Sequence, residues 1–170
     1  MTIAQIADWF APWQSLYESS KLVPAITQGV HLLALLIGGG LAVSADRATL
    51  RAYRAGPDRR GFQLAELGAV HRPVLIALGV MFASGLALAT ADVKTFAVAP
   101  LFWVKLGFVA LLLTNGAVLA RTEGWLRAHT AEGNAPLVER RWARLRTTSV
   151  LSMTLWCATL AAGVVLGNMA

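Results

Sequence analysis

Charged residues are scarce in this chain. Only 14% of its 170 residues are charged and 56% are hydrophobic, whereas a soluble domain has about 25% charged residues. This balance excludes an intrinsically disordered chain, which needs low hydrophobicity and high charge. The single cysteine, Cys157, cannot pair within the chain, so a disulfide scaffold is excluded as well. The composition therefore predicts a membrane protein, and the length allows one domain.

The sequence also lacks the patterns of several familiar sites. It has no Met-x-x-Met or Cys-x-x-Cys spacing, which disfavours copper transport because Cu(I) prefers sulfur ligands. Helix-borne carboxylate pairs for a di-iron centre are absent, and no Ser-His-Asp arrangement is readable. The net charge is +6, but the basic residues form no stripe with interleaved aromatics, so we expect no nucleic-acid partner.

Four apolar stretches are long enough to cross a bilayer, which requires about 20 residues. They run from about 22–44, 67–91, 98–120 and 148–166. The pattern predicts an all-α, integral membrane four-helix bundle that forms a single domain over residues 1–170.

The arginines predict the orientation of this bundle. Two groups follow the first and third spans, and they comprise Arg47, Arg51, Arg54, Arg59 and Arg60, then Arg121, Arg127, Arg140, Arg141, Arg144 and Arg146. Positively charged loops remain in the cytoplasm. We therefore expect a multi-pass protein of the bacterial inner membrane, with both termini in the periplasm and the lipid bilayer as its surroundings.

Residues 1–20 contain no Lys or Arg, so they do not resemble a cleavable signal peptide. Apolar residues recur here at helical spacing: Ile3, Ile6, Trp9, Phe10, Trp13, Leu16 and Tyr17. We predict an amphipathic helix over 1–20 that lies flat on the outer membrane interface. The alternative is a helix that packs against a partner subunit.

Ionisable side chains inside a span are costly, so each is a candidate for a functional role. His31 lies near the middle of the first span. A neutral histidine is a common axial haem ligand, and Gly38, Gly39 and Gly40 would let a flat macrocycle approach the backbone. The alternative is an imidazole hydrogen-bonded to a neighbouring helix, with the glycines serving close helix packing.

Three further residues complete the candidate cofactor site. His71 is the natural second iron ligand, and Arg72 could pair with a haem propionate. Lys105, in the outer half of the third span, could neutralise a propionate or a substrate carboxylate. The alternative for all three is a side chain that snorkels to the membrane surface. From their positions in the spans, His31 and His71 differ in depth by about 11–15 Å, so a shared haem requires helix tilt.

Several short motifs resemble known membrane proteins. They are Val30-His31 with the glycine run, His71-Arg72-Pro73 leading to Ser84-Gly85-Leu86, and residues 100–106, Pro-Leu-Phe-Trp-Val-Lys-Leu. The chain resembles an uncharacterised family of small bacterial four-span membrane proteins and, more distantly, the CopD-like and HemJ-like membrane proteins. HemJ-like proteins bind haem b and oxidise protoporphyrinogen, and the resemblance implies that His31 and Lys105 are the matching positions.

The leading interpretation is a b-type haem protein. It would act in electron transfer with quinone or a partner redox protein, with His31, His71, Lys105 and Arg72 around the cofactor and the two histidines as candidate iron ligands. One alternative is a cofactor-free accessory or structural subunit of a larger membrane complex. The other is a HemJ-like protoporphyrinogen oxidase, so the sequence leaves open whether the chain is an enzyme.

Overall fold

The architecture comes from a computed structural model that describes residues 3–129 and 135–169. Apart from the short connections between helices, these residues are helical, and none of them forms a strand. The helices are α1 (Ile3–Trp9), α2 (Ala11–Ser19), α3 (Leu22–Ala55), α4 (Pro57–Ala91), α5 (Val93–Val98), α6 (Pro100–His129) and α7 (Ala135–Met169).

Four of these helices, α3, α4, α6 and α7, are long and apolar enough to cross a membrane. This confirms the predicted all-α class with four membrane-length helices. Many large apolar side chains face outward from the bundle, as Leu36, Leu75 and Phe82 do with 71%, 63% and 66% exposure. Such a surface suits contact with lipid rather than with water.

The long helices extend past the apolar stretches at one end of the bundle. Helix α3 continues to Ala55 and α4 begins at Pro57, so a single residue, Gly56, separates them. Gly56 has a φ of 103°, a conformation that glycine adopts without steric cost. Pro57 fits the first turn of α4 because its missing N–H has no helical partner there. We call this end, where both arginine groups lie, the arginine-rich end.

The N-terminal segment is broken into two helices, where the sequence predicted one. Pro12 stands in the first turn of α2, and a proline ring inside a continuous helix would clash with the carbonyl four residues earlier. Helix α2 packs against α4, with Trp13 Nε1 donating to Ala87 O at 3.0 Å and Gln14 Nε2 donating to Thr90 O at 3.2 Å. The segment is thus fixed to its own bundle.

The bundle consists of two antiparallel hairpins, α3–α4 and α6–α7, which meet mainly through α3 and α7. One apolar core lies in the middle of the bundle and comprises Ala34, Met81, Leu112, Leu155 and Trp156. The other lies toward the arginine-rich end and comprises Leu64, Leu67, Leu126, Trp142 and Leu145. Helices α4 and α6 contact each other little.

Two glycines of the Gly38–Gly40 run bring α3 close to its neighbours. A Cβ atom added at Gly38 would lie 2.9 Å from the Cβ of Ala77, and one at Gly39 would lie 3.1 Å from the Trp156 ring. Nothing lies within 4 Å of a Cβ added at Gly40. Gly38 and Gly39 therefore serve close helix packing, as in the alternative interpretation of the run.

We predict that Gly38→Leu destabilises the protein, whereas Gly40→Leu is tolerated. The larger side chain at Gly38 must displace α4, and overpacking of this kind costs about 1–3 kcal/mol. The two variants add the same atoms to the same helix, so the difference between them isolates the contact with α4. Thermal unfolding in detergent measures the effect, and equal midpoints for the two variants would contradict the packing role.

Candidate functional site

His31 points from α3 toward α4 and contacts Ser84. Its Nδ1 atom lies 3.0 Å from Ser84 Oγ. Ser84 Oγ in turn donates to the carbonyl of Val80 at 2.7 Å, with Met81 O also within reach at 3.2 Å. A hydroxyl has only one proton to donate. If that proton is directed at these carbonyls, the serine oxygen accepts a hydrogen bond from His31 Nδ1–H.

This contact is compatible with a neutral His31 that carries its proton on Nδ1. A neutral imidazole with its proton on Nδ1 has a lone pair on Nε2, and that nitrogen can bind a metal. Metal-binding histidines commonly donate their other ring N–H to an oxygen atom that fixes the ring. Ser84 has this relation to His31.

Gly85 provides the space for the imidazole. A Cβ atom at this position would lie 3.1 Å from His31 Cε1, so a larger residue would push the ring away from α4. The sequence places Ser84 and Gly85 in one short motif. The structure assigns them separate tasks, since the serine holds the ring by a hydrogen bond and the glycine accommodates it.

Lys105 is the second ionisable group of this site. It is half-buried on α6, and its Nζ would be 3.2 Å from a Cβ on Gly163 of α7. The ammonium group is close enough to His31 to interact with it electrostatically. Within residues 3–129 and 135–169, Lys105 forms no ion pair with a carboxylate. His31 and Lys105 thus form a positively charged site suited to an anionic group.

His71 lies in a different polar cluster. Its Nδ1–H donates to Leu67 O at 3.0 Å, and its Nε2 lies 3.3 Å from Glu123 Oε2. Glu123 is 1% exposed. The Nε2 atom of His71 is thus occupied by its acidic partner.

Arg127 completes the His71–Glu123 cluster. Its guanidinium pairs with Glu123 Oε1, and its Nε donates to Leu64 O at 3.0 Å. Neither oxygen of Glu123 has a partner with hydrogen-bond geometry, so its contacts with His71 and Arg127 are classed as ion pairs. The cluster joins α4 to α6, which otherwise contact each other little. We infer that it stabilises the arginine-rich half of the bundle.

The structure brings together only part of the predicted cofactor site. His31 contacts Ser84, which is 13 residues from His71 along α4, and this spacing corresponds to about 20 Å. The two histidines are thus further apart than the sequence positions suggested. Arg72 is exposed and lies beside Pro73 on a groove between α3 and α4. Lys105 alone accompanies His31.

Two buried acids were missed by the sequence analysis. Asp46 is 4% exposed and faces the hydroxyl groups of Ser149 and Ser152 on α7. Ser149 is close enough to influence the carboxylate but makes no direct hydrogen bond. Glu123 and Asp46 both lie just outside the apolar stretches, where acids were assigned to loops. The spacing of Ser149 and Ser152 on one helix face was the available signal for Asp46.

No family model, curated protein or solved structure matches this chain.

We predict that Glu123→Ala lowers the free energy of unfolding by about 1–3 kcal/mol, because it removes the buried carboxylate that pairs with the partly exposed His71 and Arg127 side chains. Arg127 is partly exposed and can recover water, which keeps the loss below that of a fully buried pair. Glu66→Ala is the matched control, since Glu66 is exposed on α4 and surface changes stay within about 0.5 kcal/mol. Chemical denaturation in detergent would measure both variants, and equal stabilities would show that the cluster contributes nothing.

Proposed function

We propose that this chain is a b-type haem protein of the bacterial inner membrane that transfers electrons to or from quinone or a partner redox protein. The observation that supports the proposal is the 3.0 Å contact between His31 Nδ1 and Ser84 Oγ, because an imidazole that donates from Nδ1 carries on Nε2 the lone pair that could bind iron. A haem supplies one-electron redox chemistry, and its potential depends on the axial ligand, burial and nearby charge. At this site His31 would be the axial ligand, its half-buried position would provide the burial, and Lys105 would provide the nearby charge.

His31 and Ser84 have distinct roles in this proposal. His31 would bind the iron through Nε2, while Ser84 would orient the imidazole and increase its basicity through a hydrogen bond at Nδ1. Ser84 is therefore a positioning residue. Its own geometry is fixed by its bonds to carbonyls of the preceding turn of α4.

Lys105 supplies the charge that a haem needs in an apolar setting. The ammonium group interacts with His31 and has no carboxylate partner in the described part of the chain. A propionate placed here would neutralise it. Arg72 and His71 lie elsewhere in the bundle, so the proposal assigns them no contact with this haem.

The orientation belongs to the same proposal. The positive-inside rule places the arginine-rich end in the cytoplasm and both termini in the periplasm. His31 and Lys105 then lie in the outer half of the membrane. An electron carrier in that position would exchange electrons within the bilayer or near its periplasmic surface.

A second candidate function is an accessory subunit of a larger membrane complex that binds no cofactor. The observation that favours it is the use of Gly38 and Gly39 for helix packing, which gives the glycine run a structural explanation without a macrocycle. The two candidates differ in one visible property, because a haem protein is coloured.

We expect the detergent-purified protein, expressed with ample haem, to show a Soret band and sharp reduced α and β bands. His31→Ala should abolish these bands because it removes the iron ligand. His71→Ala should retain them, since His71 lies about 20 Å away along α4. Oxidised and dithionite-reduced absorption spectra provide the measurement. A colourless wild-type protein would overturn the haem proposal and favour the accessory subunit.

We further expect Ser84→Ala to retain the haem but bind it about 10–100-fold more weakly, as is typical when a hydrogen-bonding partner of a metal ligand is lost. The reduction potential should shift as well, because the imidazole becomes a weaker donor. Thr90→Ala serves as the control, since among the described residues the Thr90 hydroxyl donates to its own preceding turn and Gln14 bonds to the Thr90 carbonyl, which the variant keeps. Haem titration and redox potentiometry distinguish the variants, and an unaltered potential in Ser84→Ala would exclude the positioning role.

A further inference from the structure

A groove runs along the outer surface of the α3–α4 hairpin. Its volume is about 510 Å³, and its walls are apolar except at one end, where Arg72 lies. Two small residues, Ala34 and Ala77, form its floor, while larger side chains such as Leu33, Ile37, Ile76 and Val80 flank it. The groove exists because α3 and α4 approach closely at Gly38 and Ala77, which leaves a depression between the two rows of larger side chains.

Arg72 has no polar partner among the residues that the structure describes. It is exposed, and among residues 3–129 and 135–169 it forms neither an ion pair nor a hydrogen bond. A charge at the surface of a membrane-spanning helix is costly unless an opposite charge or water meets it. The structure thus contains a bare guanidinium at the end of an apolar groove.

The depth of Arg72 in the bilayer indicates which chemical group pairs with its guanidinium. Residues 73–91 contain no charged residue, and these 19 residues extend about 28 Å along the helix. The hydrocarbon core of a bilayer is about 30 Å thick. If residues 73–91 fill that core, Arg72 lies at its boundary on the arginine-rich side. Phosphate groups of phospholipids lie at this level, and arginine binds phosphate through paired N–H donors.

We propose that the groove is a binding site for one phospholipid of the leaflet at the arginine-rich end. Arg72 binds the phosphate, and an acyl chain lies along the groove between Ile37 and Ile76. From Arg72 to Val80 the groove extends for about 12 Å along α4, which accommodates the upper part of one chain. The Arg72 guanidinium lies at the depth of the lipid phosphodiesters and carries the opposite charge. This favours a phospholipid over an uncharged apolar molecule as the occupant of the groove.

Native mass spectrometry of the full-length protein tests this proposal. Delipidated protein in mild detergent is titrated with dioleoyl phosphatidylglycerol, and we expect one adduct of that lipid's mass to dominate. Arg72→Gln should weaken this adduct at least tenfold. Arg59→Gln is the matched control, because it removes an exposed arginine from the same helix outside the groove. Equal binding by these two variants would overturn the proposal.

A second variant tests the apolar part of the site. Ile76 is 60% exposed on the wall of the groove, so Ile76→Trp should fill the groove while Arg72 remains, and the lipid adduct should again be lost. Retention of the lipid adduct in Ile76→Trp would contradict the proposal that the acyl chain lies in the groove. The assignment to a phospholipid would also be overturned if a quinone, a haem or a second copy of the chain copurified with the wild-type protein and was lost in Ile76→Trp.

The lipid proposal is independent of the haem proposal. His31→Ala should leave the lipid adduct unchanged, and Arg72→Gln should leave any haem spectrum unchanged, because the two groups lie at different levels of the bundle. A colourless protein that retains the lipid would overturn the haem proposal alone. A coloured protein whose Arg72→Gln variant binds lipid as well as the control does would overturn only the lipid site.

Discussion

The close approach of α3 to α4 and α7 at Gly38 and Gly39 determines the register of the whole bundle. Gly38 meets Ala77, and seven residues away on each helix His31 meets Ser84. Seven residues make about two helical turns, so both contacts lie on the same faces of antiparallel helices. A shift of one residue at the glycine would turn the imidazole away from its serine. The site therefore depends on a packing contact about 10 Å away along the helix axis.

The same contact aligns α3 with α7 toward the arginine-rich end. Gly39 meets Trp156, and seven residues along each helix Asp46 faces Ser149. Polar groups inside a bilayer must be satisfied within the protein, which explains why Asp46 faces serine hydroxyls. Asn115 shows the same constraint, since its Nδ2 donates to Thr148 O at 2.9 Å. The glycines thus fix the register in which buried polar side chains find partners.

The sequence predicted the features that depend on composition along one helix. Four apolar stretches identified four membrane-length helices, and the depth of His31 and Lys105 followed from their positions in those stretches. Features that depend on pairing between helices could not be predicted in this way. His71 was assigned to the haem because it is an ionisable residue within an apolar stretch, and its pairing with Glu123 is a contact between α4 and α6 that the sequence of one helix does not show. Its distance from His31 became clear only when the structure gave the order and register of α3 and α4.

Helix ends illustrate the same limit. Hydropathy detects the part of a helix that contacts lipid, whereas the helices themselves continue through arginine-rich sequence that forms helix well. The reversal at Gly56 is so short that α3 and α4 remain helical on both sides of it. The break before α2 was readable from Pro12, whose effect on a continuing helix is local and follows from the sequence alone.

The unpaired charge of Lys105 links the site to the stability of the bundle. A half-buried ammonium without a carboxylate loses hydration and gains no opposite charge in return. Any anionic group that binds there removes this cost, so binding must stabilise the folded chain, and by linkage the gain grows with ligand concentration. Asp46 and Glu123, by contrast, have polar partners in the chain itself. The buried acids toward the arginine-rich end are therefore balanced within the chain, whereas Lys105 has no carboxylate partner among the described residues.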